Sequence, residues 1–297
     1  MRGKFSLAVC DALWAAGLEL ADVLRVVETA LEEDLRYGQD ATTEATVPAD
    51  AVAVAELNPR TPGTLAGVPV ALAVFDMVLD DEYELLDQLP DGSRVRPGAP
   101  VLVLRAPVRA LLTAERTALN LVCHLCGVAT ATAAWVDAIA ETRCAVRDTR
   151  KTSPGMRLLQ KYAVRCGGGV NHRFGLGDAV LIKDNHIAAA GSVTAALAAV
   201  RRAVPELPCE VEVDSLEQLD EVLAAGAEEV LLDNFTPEQC AEAVRRRDFA
   251  AIDTRLESSG GLRLEMAMAY AESGVDYLSV GALTHSTQAL DLGLDLR

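Results

Sequence analysis

Between Arg143 and Lys183 an otherwise acidic chain becomes basic. Arg143, Arg147, Arg150, Lys151, Arg157, Lys161, Arg165, Arg173 and Lys183 face only Asp148 and Asp178 there, a local balance of +7 in a chain of formal net charge −17, so the remainder carries −24. The chain has four lysines, Lys4, Lys151, Lys161 and Lys183, and three lie in this stretch. Where arginine is the general surface cation, a retained lysine points to a task suited to a compact, rotatable ammonium. Arg150 and Arg173 offer planar forks matched to carboxylate or phosphate, and Lys151 and Lys183 offer point charges. A set of surface salt bridges is the plainer reading, but the segment holds too few acids to supply the partners. The pattern points to a pocket for a small, heavily anionic ligand.

Two acids and three glycine-rich loops extend the set. Glu212 in CEVEVD and Asp233 in EVLLDN end apolar runs, where a carboxylate could bind a divalent metal that holds a diphosphate, or steady positive charge developing on a sugar. Taken singly, each is as readily a strand-end cap. CGGGVNHRFGLGD, LESSGG and SVGAL place small residues where backbone N–H groups can approach a phosphate closely. His172 reads as a ligand-binding group; His186, after KDN, reads equally as an acid/base or a cap. No Ser-His-Asp order, nucleophile elbow or H-E-x-x-H is present.

These residues need a scaffold that gathers strand ends. From Cys144 onward short apolar runs recur in CAVRDTRK, AVLIKDN, CEVEVD, EVLLDN, around RLESSGG and in YLSVGAL, separated by helical patterns such as SVTAALAAVRRAV and SLEQLDEVLAAG. Alternating β and α with buried strands implies a parallel sheet. Closure as a barrel would put every strand's C-terminal end on one face, the active-site face of such folds; an open doubly wound sheet shares the periodicity. The first hundred residues predict a mixed domain: a helix near Leu20 to Asp34, a loop RYGQDATTEA, a strand in AVAVAEL, a helix in VALAVFDMVL, short strands in DGSRVRPGAPVLVLRAP, and a long helix from about Leu111. The expected boundaries are an N-terminal domain over 1–124, a barrel over 125–285, and a tail of about 286–297 packing back on the first domain.

Composition narrows the classes. Global acidity argues against nucleic acid as partner, because phosphate-backbone affinity needs a broad basic face. No run reaches the roughly 18 uninterrupted apolar residues of a membrane span. The opening MRGKFSLAVCDALWAAGLEL imitates a signal peptide, but Asp11 interrupts its apolar run. Seven irregularly spaced cysteines suit a reducing cytosol, and Cys123 and Cys126 read as core residues of a helix rather than a redox or zinc pair.

At longer range the motifs ALEEDLRYGQDATTEATVP, AERTALNL, RDTRKTSPG, KYAVRCGGGVNHRFGLGDAVLIKDNH, EVEVDSLEQ, LLDNF, LESSGG and VDYLSVGALTHS run in order from about Ala30 to the C-terminus. Together they resemble quinolinate phosphoribosyltransferase, the decarboxylating nicotinate-nucleotide pyrophosphorylase family; the first twenty or so residues lie outside any matching motif. The resemblance implies an N-terminal α/β sandwich followed by an incomplete α/β barrel. It also implies a cytoplasmic homodimer, or a higher assembly of it, that joins quinolinate to phosphoribosyl pyrophosphate with Mg2+. By the same resemblance Arg150, Arg173, His172 and Lys183 hold quinolinate with Thr149, and Arg116 reaches in from the neighbouring subunit. Lys151 contacts the pyrophosphate, while Glu212 and Asp233 act on the ribose and metal side. Ser259, Gly260, Gly261, Val280, Gly281 and Ala282 cradle the 5′-phosphate, with His285 nearby. Lys151, Lys183, Glu212 and Asp233 are the implied catalytic groups, and Glu212 and Asp233 hold Mg2+ through phosphoribosyl pyrophosphate or water. Departures at Ser153, Cys166 and the DTRLESSGG approach fall where no ligand contact is expected.

Three other readings remain open from sequence: transfer to another carboxylated ring, a Schiff-base lyase using Lys183, and an anion-binding scaffold that kept the fold. Fold alone does not choose among them.

Overall fold

The computed structural model describes residues 5–80, 82–250 and 253–297. The chain divides into two units: residues up to Ala133 with Thr152–Gly168 and Leu283–Arg297, and Ala134–Lys151 with Gly169–Ala282. In chain order the elements are α1 (Leu7–Ala15), α2 (Leu20–Leu35), α3 (Ala41–Thr46), β1 (Val52–Pro59), β2 (Gly63–Thr64), α4 (Val68–Leu79), β3 (Glu84–Gln88), β4 (Arg94–Val95), β5 (Leu102–Pro107) and α5 (Val108–Ala138). There follow β6 (Ala145–Arg147), α6 (Arg157–Cys166), β7 (Val180–Ile182), α7 (Asp184–Ala190), α8 (Val193–Ala203), β8 (Cys209–Val213), α9 (Leu216–Ala224) and β9 (Glu229–Asp233). The chain ends with α10 (Pro237–Ala250), β10 (Arg255–Ser259), α11 (Ala267–Glu272), β11 (Tyr277–Ser279), α12 (Ala282–His285) and β12 (Leu292–Leu296).

The first unit builds an antiparallel sheet in the order β12-β1-β5-β3, with β2 and β4 as a separate pair. The C-terminal strand β12 pairs along β1, from Ala55 opposite Leu296 to Pro59 opposite Leu292. α2 buries Val23, Val27 and Leu31 at four-residue spacing, one stripe of an amphipathic helix. α4 is buried nearly all round, and its N-terminus is capped by Asp91, which accepts N–H bonds from Gly67 at 2.6 Å and Val68 at 3.2 Å. Tyr162 on α6 donates to the same carboxylate at 2.6 Å. Nearby, buried Gln160 links Ser153, His124 and the carbonyl of Thr284, so α6 pins the loop that follows Lys151.

Three local expectations change. RYGQDATTEA contains α3 rather than only loop, because Asp40 accepts the N–H of Thr43 at 3.0 Å and its hydroxyl at 2.5 Å and so caps the helix. β3 went unpredicted: all five residues are exposed on an edge strand, so no alternation marks it. α5 begins at Val108, directly after Pro107. Among the described residues α5 alone is long and apolar enough to cross a membrane, but 61% of its most apolar stretch is buried in the fold. Leu111, Val122, Leu125 and Cys126 are wholly inside, which makes it a core helix. Cys126 lies there as a packing residue, its sulfur 3.2 Å from the Ala66 nitrogen, and all seven cysteines are unpaired.

The second unit is a six-stranded parallel sheet, β6-β11-β10-β9-β8-β7. On a flat sheet its edge strands β6 and β7 would stand about 24 Å apart. Residues adjoining both line one cavity, so the sheet curls into an incomplete barrel. Among the described residues no ladder joins β6 to β7. The outer edge of β6 is instead covered at Val170, which bridges to Arg147. Val146, Val211, Val213, Val230, Leu232, Leu256 and Leu278 are buried on the opposite faces of their strands from the cavity residues.

Gly127 supplies a test of the first unit's packing. Glycine to alanine inside a helix ordinarily gains about 0.5–1 kcal/mol. A Cβ on Gly127 would stand 2.2 Å from the Gln288 carbonyl oxygen and 3.0 Å from Ala289 Cα, both backbone atoms. Gly127→Ala should therefore reverse sign and cost about 1–3 kcal/mol, measured as a lower urea midpoint with an unchanged slope.

Candidate active site

Residues at the C-terminal ends of the six parallel strands line a cavity of about 470 Å³. β6 leads into Thr149, Arg150 and Lys151; the irregular segment before β7 supplies His172 and Arg173. Leu181 lies on β7 and Lys183 just beyond it, Glu212 on β8, Leu231 and Asp233 on β9, Glu257 and Ser259 on β10, and Ser279 on β11. Nine of the sequence-predicted residues, Thr149, Arg150, Lys151, His172, Arg173, Lys183, Glu212, Asp233 and Ser259, thus meet at one place. A second cavity of about 530 Å³ lies in the first unit against α2, α5 and residues 153–156, and none of the predicted residues line it. The convergence of charge marks the smaller cavity as the site.

Its cations converge as an anion-binding group would. The Nε atoms of Arg150 and Arg173 are buried without a hydrogen-bond partner. Burial, then the charge of Arg150, pushes the Arg173 guanidinium below its ordinary pKa. Its Nη1 donates to the Ala179 carbonyl at 3.0 Å. Lys183 forms an ion pair with Glu212. Burial, then the neighbouring Glu212 carboxylate, raises Asp233, while Lys183 and Lys151 oppose that rise.

Local backbone geometry explains the glycines. Gly260 has φ +98°, and a Cβ there would fall 2.2 Å from Asn234 Oδ1. Asn234 is itself left-handed, and its N–H bonds to the Ser259 carbonyl at 2.8 Å. Gly260 and Gly261 follow Ser259, and Val280, Gly281 and Ala282 follow Ser279, so each loop leaves a strand end that lines the cavity. Val280 is buried, with its N–H on the Arg147 carbonyl at 2.9 Å. Arg116, exposed on α5, and His285, exposed at the end of α12, belong to the first unit and are not among the lining residues. His186 acts as a cap: its Nδ1 accepts the Lys183 N–H at 3.0 Å.

Beneath the cations lies a layer that the sequence reading missed. Arg147 bridges Glu229 and Glu257, at 2.5 Å to the latter, and stacks 4.1 Å from the Tyr277 ring centroid. His172 Nε2 is 2.8 Å from Glu210, and Asp148 accepts the His172 N–H at 2.9 Å. Burial, then Glu229, pushes Glu210 up to about 8; burial, then Glu210, pushes Glu257 up to about 7. The signal for these residues was the two-residue strand period, which sets Glu210 with Glu212 and Glu257 with Ser259 on one face.

Two family models match the chain. Residues 40–126 match the quinolinate phosphoribosyl transferase N-terminal domain, and residues 128–295 match the C-terminal domain. The chain belongs to the quinolinate phosphoribosyltransferase family. A curated relative named nicotinate-nucleotide pyrophosphorylase [carboxylating], from Mycobacterium leprae, is 62% identical over 271 residues, 91% of this chain and 95% of the relative. A human protein of the same name is 40% identical over 82% of each chain. Among solved structures, the Francisella tularensis nicotinate-nucleotide pyrophosphorylase is 39% identical with a TM-score of 0.89, covering 94% of this chain and 98% of that one. NadC from Streptococcus pyogenes is 41% identical with a TM-score of 0.87, over 94% and 99%. The α/β architecture, a sheet domain followed by an incomplete parallel barrel, is that of the family's structures.

Glu257 yields a pH prediction. Its folded-state pKa is raised from 4.5 to about 7, so its contribution to stability is full below pH 4.5 and is lost as pH rises through 7. Glu257→Gln cannot ionise. Denaturant midpoints measured from pH 4.5 to 8 should fall less steeply for the variant than for the wild type; parallel slopes would mean that Glu257 titrates normally.

Proposed function

We propose that this protein transfers the phosphoribosyl group of phosphoribosyl pyrophosphate to quinolinate with loss of one carboxylate, giving nicotinate mononucleotide, CO2 and pyrophosphate, a step of NAD biosynthesis. The observation that carries the reading is the convergence of Arg150, Arg173, Lys151 and Lys183 on one cavity with two buried guanidinium Nε atoms unsatisfied. A dicarboxylate ring, a 5′-phosphate and a diphosphate supply the anionic oxygens that such a cavity requires. Family membership and the relatives' names agree with it.

The chain's own groups divide the work. Arg150 and Arg173 orient the two quinolinate carboxylates, and Lys183, held by Glu212, adds positive charge beside them. Lys151 neutralises charge building on the departing pyrophosphate, and Glu212 or Asp233 steadies positive charge on the ribose as its bond to pyrophosphate lengthens. The loops at Ser259–Gly261 and Val280–Ala282 receive the 5′-phosphate. Once glycosylated, the ring nitrogen withdraws electrons, so the adjacent carboxylate leaves without a further cofactor. The arginine fork must hold that carboxylate without stabilising it more than the transition state.

Mg2+ fits the acids. Glu212 and Asp233 present hard oxygen donors, and the Glu212 charge, which adds to burial in raising Asp233, is of the kind a dication offsets. They would hold it directly or through phosphoribosyl pyrophosphate, where it would supply charge neutralisation to the diphosphate. A homodimer would let Arg116, exposed on α5, enter the partner's cavity. A cytoplasmic location suits the seven unpaired cysteines.

Purified protein given quinolinate, phosphoribosyl pyrophosphate and Mg2+ should release CO2 and nicotinate mononucleotide in equal amounts, and nicotinate in place of quinolinate should yield none. Product from nicotinate, or from neither, would overturn the assignment. Arg150→Ala should lower kcat/KM by about 100-fold with little change in melting temperature, and Arg150→Lys should not restore it, because an ammonium lacks the fork. Mixing Arg116→Ala with Arg150→Ala protein under subunit exchange should recover roughly a quarter of wild-type activity, since half the dimers then carry one intact site. No recovery would mean that Arg116 does not act across subunits.

A further inference from the structure

The second unit buries more inward charge than the substrate site uses. Arg147, Glu210, Glu229 and Glu257 sit two residues before Thr149, Glu212, Leu231 and Ser259, on the same faces of β6, β8, β9 and β10. Barrel interiors at this level are ordinarily filled by branched apolar side chains. Here Glu210 and Glu257 are buried, and each leaves its Oε1 without a hydrogen-bond partner.

The layer connects directly to Arg173. That residue lies in a segment without helix or strand between α6 and β7, so its position depends on hydrogen bonds. Asp148 accepts from the Asn171 side chain at 2.6 Å and from the His172 N–H at 2.9 Å. The Arg173 N–H donates to His172 Nδ1 at 2.7 Å. A ring nitrogen that accepts carries no proton, so the His172 proton resides on Nε2 and is donated to Glu210 at 2.8 Å. The same assignment decides against a cation. His172, Glu210 and Glu257 bring ligand atoms within 4.8 Å of one another. With its proton on Nε2, the imidazole has no lone pair there to offer a metal.

We propose that Glu210 is a positioning residue for quinolinate binding, acting through the His172 ring to hold the backbone of Arg173 and so aim its guanidinium. The proposal rests on the substrate reading above. Reach, not charge, is what Glu210 supplies: an amide oxygen of equal reach can accept the Nε2 proton, and a carboxylate one methylene shorter cannot.

Two near-isosteric variants and one spectrum test it. In Glu210→Asp the KM for quinolinate should rise at least tenfold while the KM for phosphoribosyl pyrophosphate stays within twofold. In Glu210→Gln both should stay within about threefold of wild type. Quinolinate KM unchanged in the Asp variant, equal shifts for both substrates, or Gln as damaging as Asp would each overturn the proposal. Independently, 15N NMR of histidine-labelled wild-type protein without substrate at pH 7.5 should show His172 neutral with its proton on Nε2. A proton on Nδ1, or an imidazolium, would overturn it whether or not a variant folds. Wild-type protein inactive on quinolinate would sink the substrate reading alone, because the tautomer requires no substrate.

Discussion

Cations of like charge share one small cavity, and their repulsion must be met before any ligand arrives. Burial, then the charge of Arg150, depresses the Arg173 pKa, and both arginines keep a buried Nε without a partner. Water still reaches Lys151 and Lys183, but the part-buried guanidiniums are screened less, so fixed protein charge adds to the compensation. Glu212 supplies it to Lys183 at the rim, and Asp178 opposes the fall of Arg173. The site is a stack, with cations at the strand ends and carboxylates one step deeper.

This stack explains an anomaly in the strands. Parallel strands buried on both faces usually read as continuous apolar runs, yet CEVEV and EVLLD carry acids on one face. Their other face does the packing, through Val211, Val213, Val230 and Leu232. In place of apolar filling, the inward face carries Arg147 with its partners Glu229 and Glu257, and Glu210 on the His172 ring. Two buried carboxylates and the part-buried Glu229 against Arg147 and a neutral imidazole would be costly if all were ionised. Glu210 and Glu257 respond by rising to about 8 and about 7, so protons take part of the burden near neutrality.

Much of this was legible in residue order because strand periodicity and terminal chemistry are local. The β and α rhythm after Cys144 marked every strand of the parallel sheet, and the residues at their C-terminal ends named most of the cavity wall. Where local signals were absent the reading failed. β3 has no buried residue, and therefore no alternation to detect. Glu210 and Glu257 carried a periodic signal, but their value depends on lying inside a curled sheet, which one strand cannot reveal. His186 could not be resolved between cap and catalyst until its Nδ1 was found on the Lys183 N–H.

By itself the sequence determined the fold class, the basic island and the identities of its cations and acids, because charge, strand period and glycine placement are properties of short segments. Only the tertiary structure decided which of those charges face one another, that the strand ends meet around one cavity, and that His172 turns its proton inward to Glu210. Those outcomes depend on sheet curvature and on hydrogen bonds between residues up to 110 positions apart, such as Arg147 with Glu257. No local pattern encodes such pairings: they are set when separate strands pack and each buried polar group must find a partner.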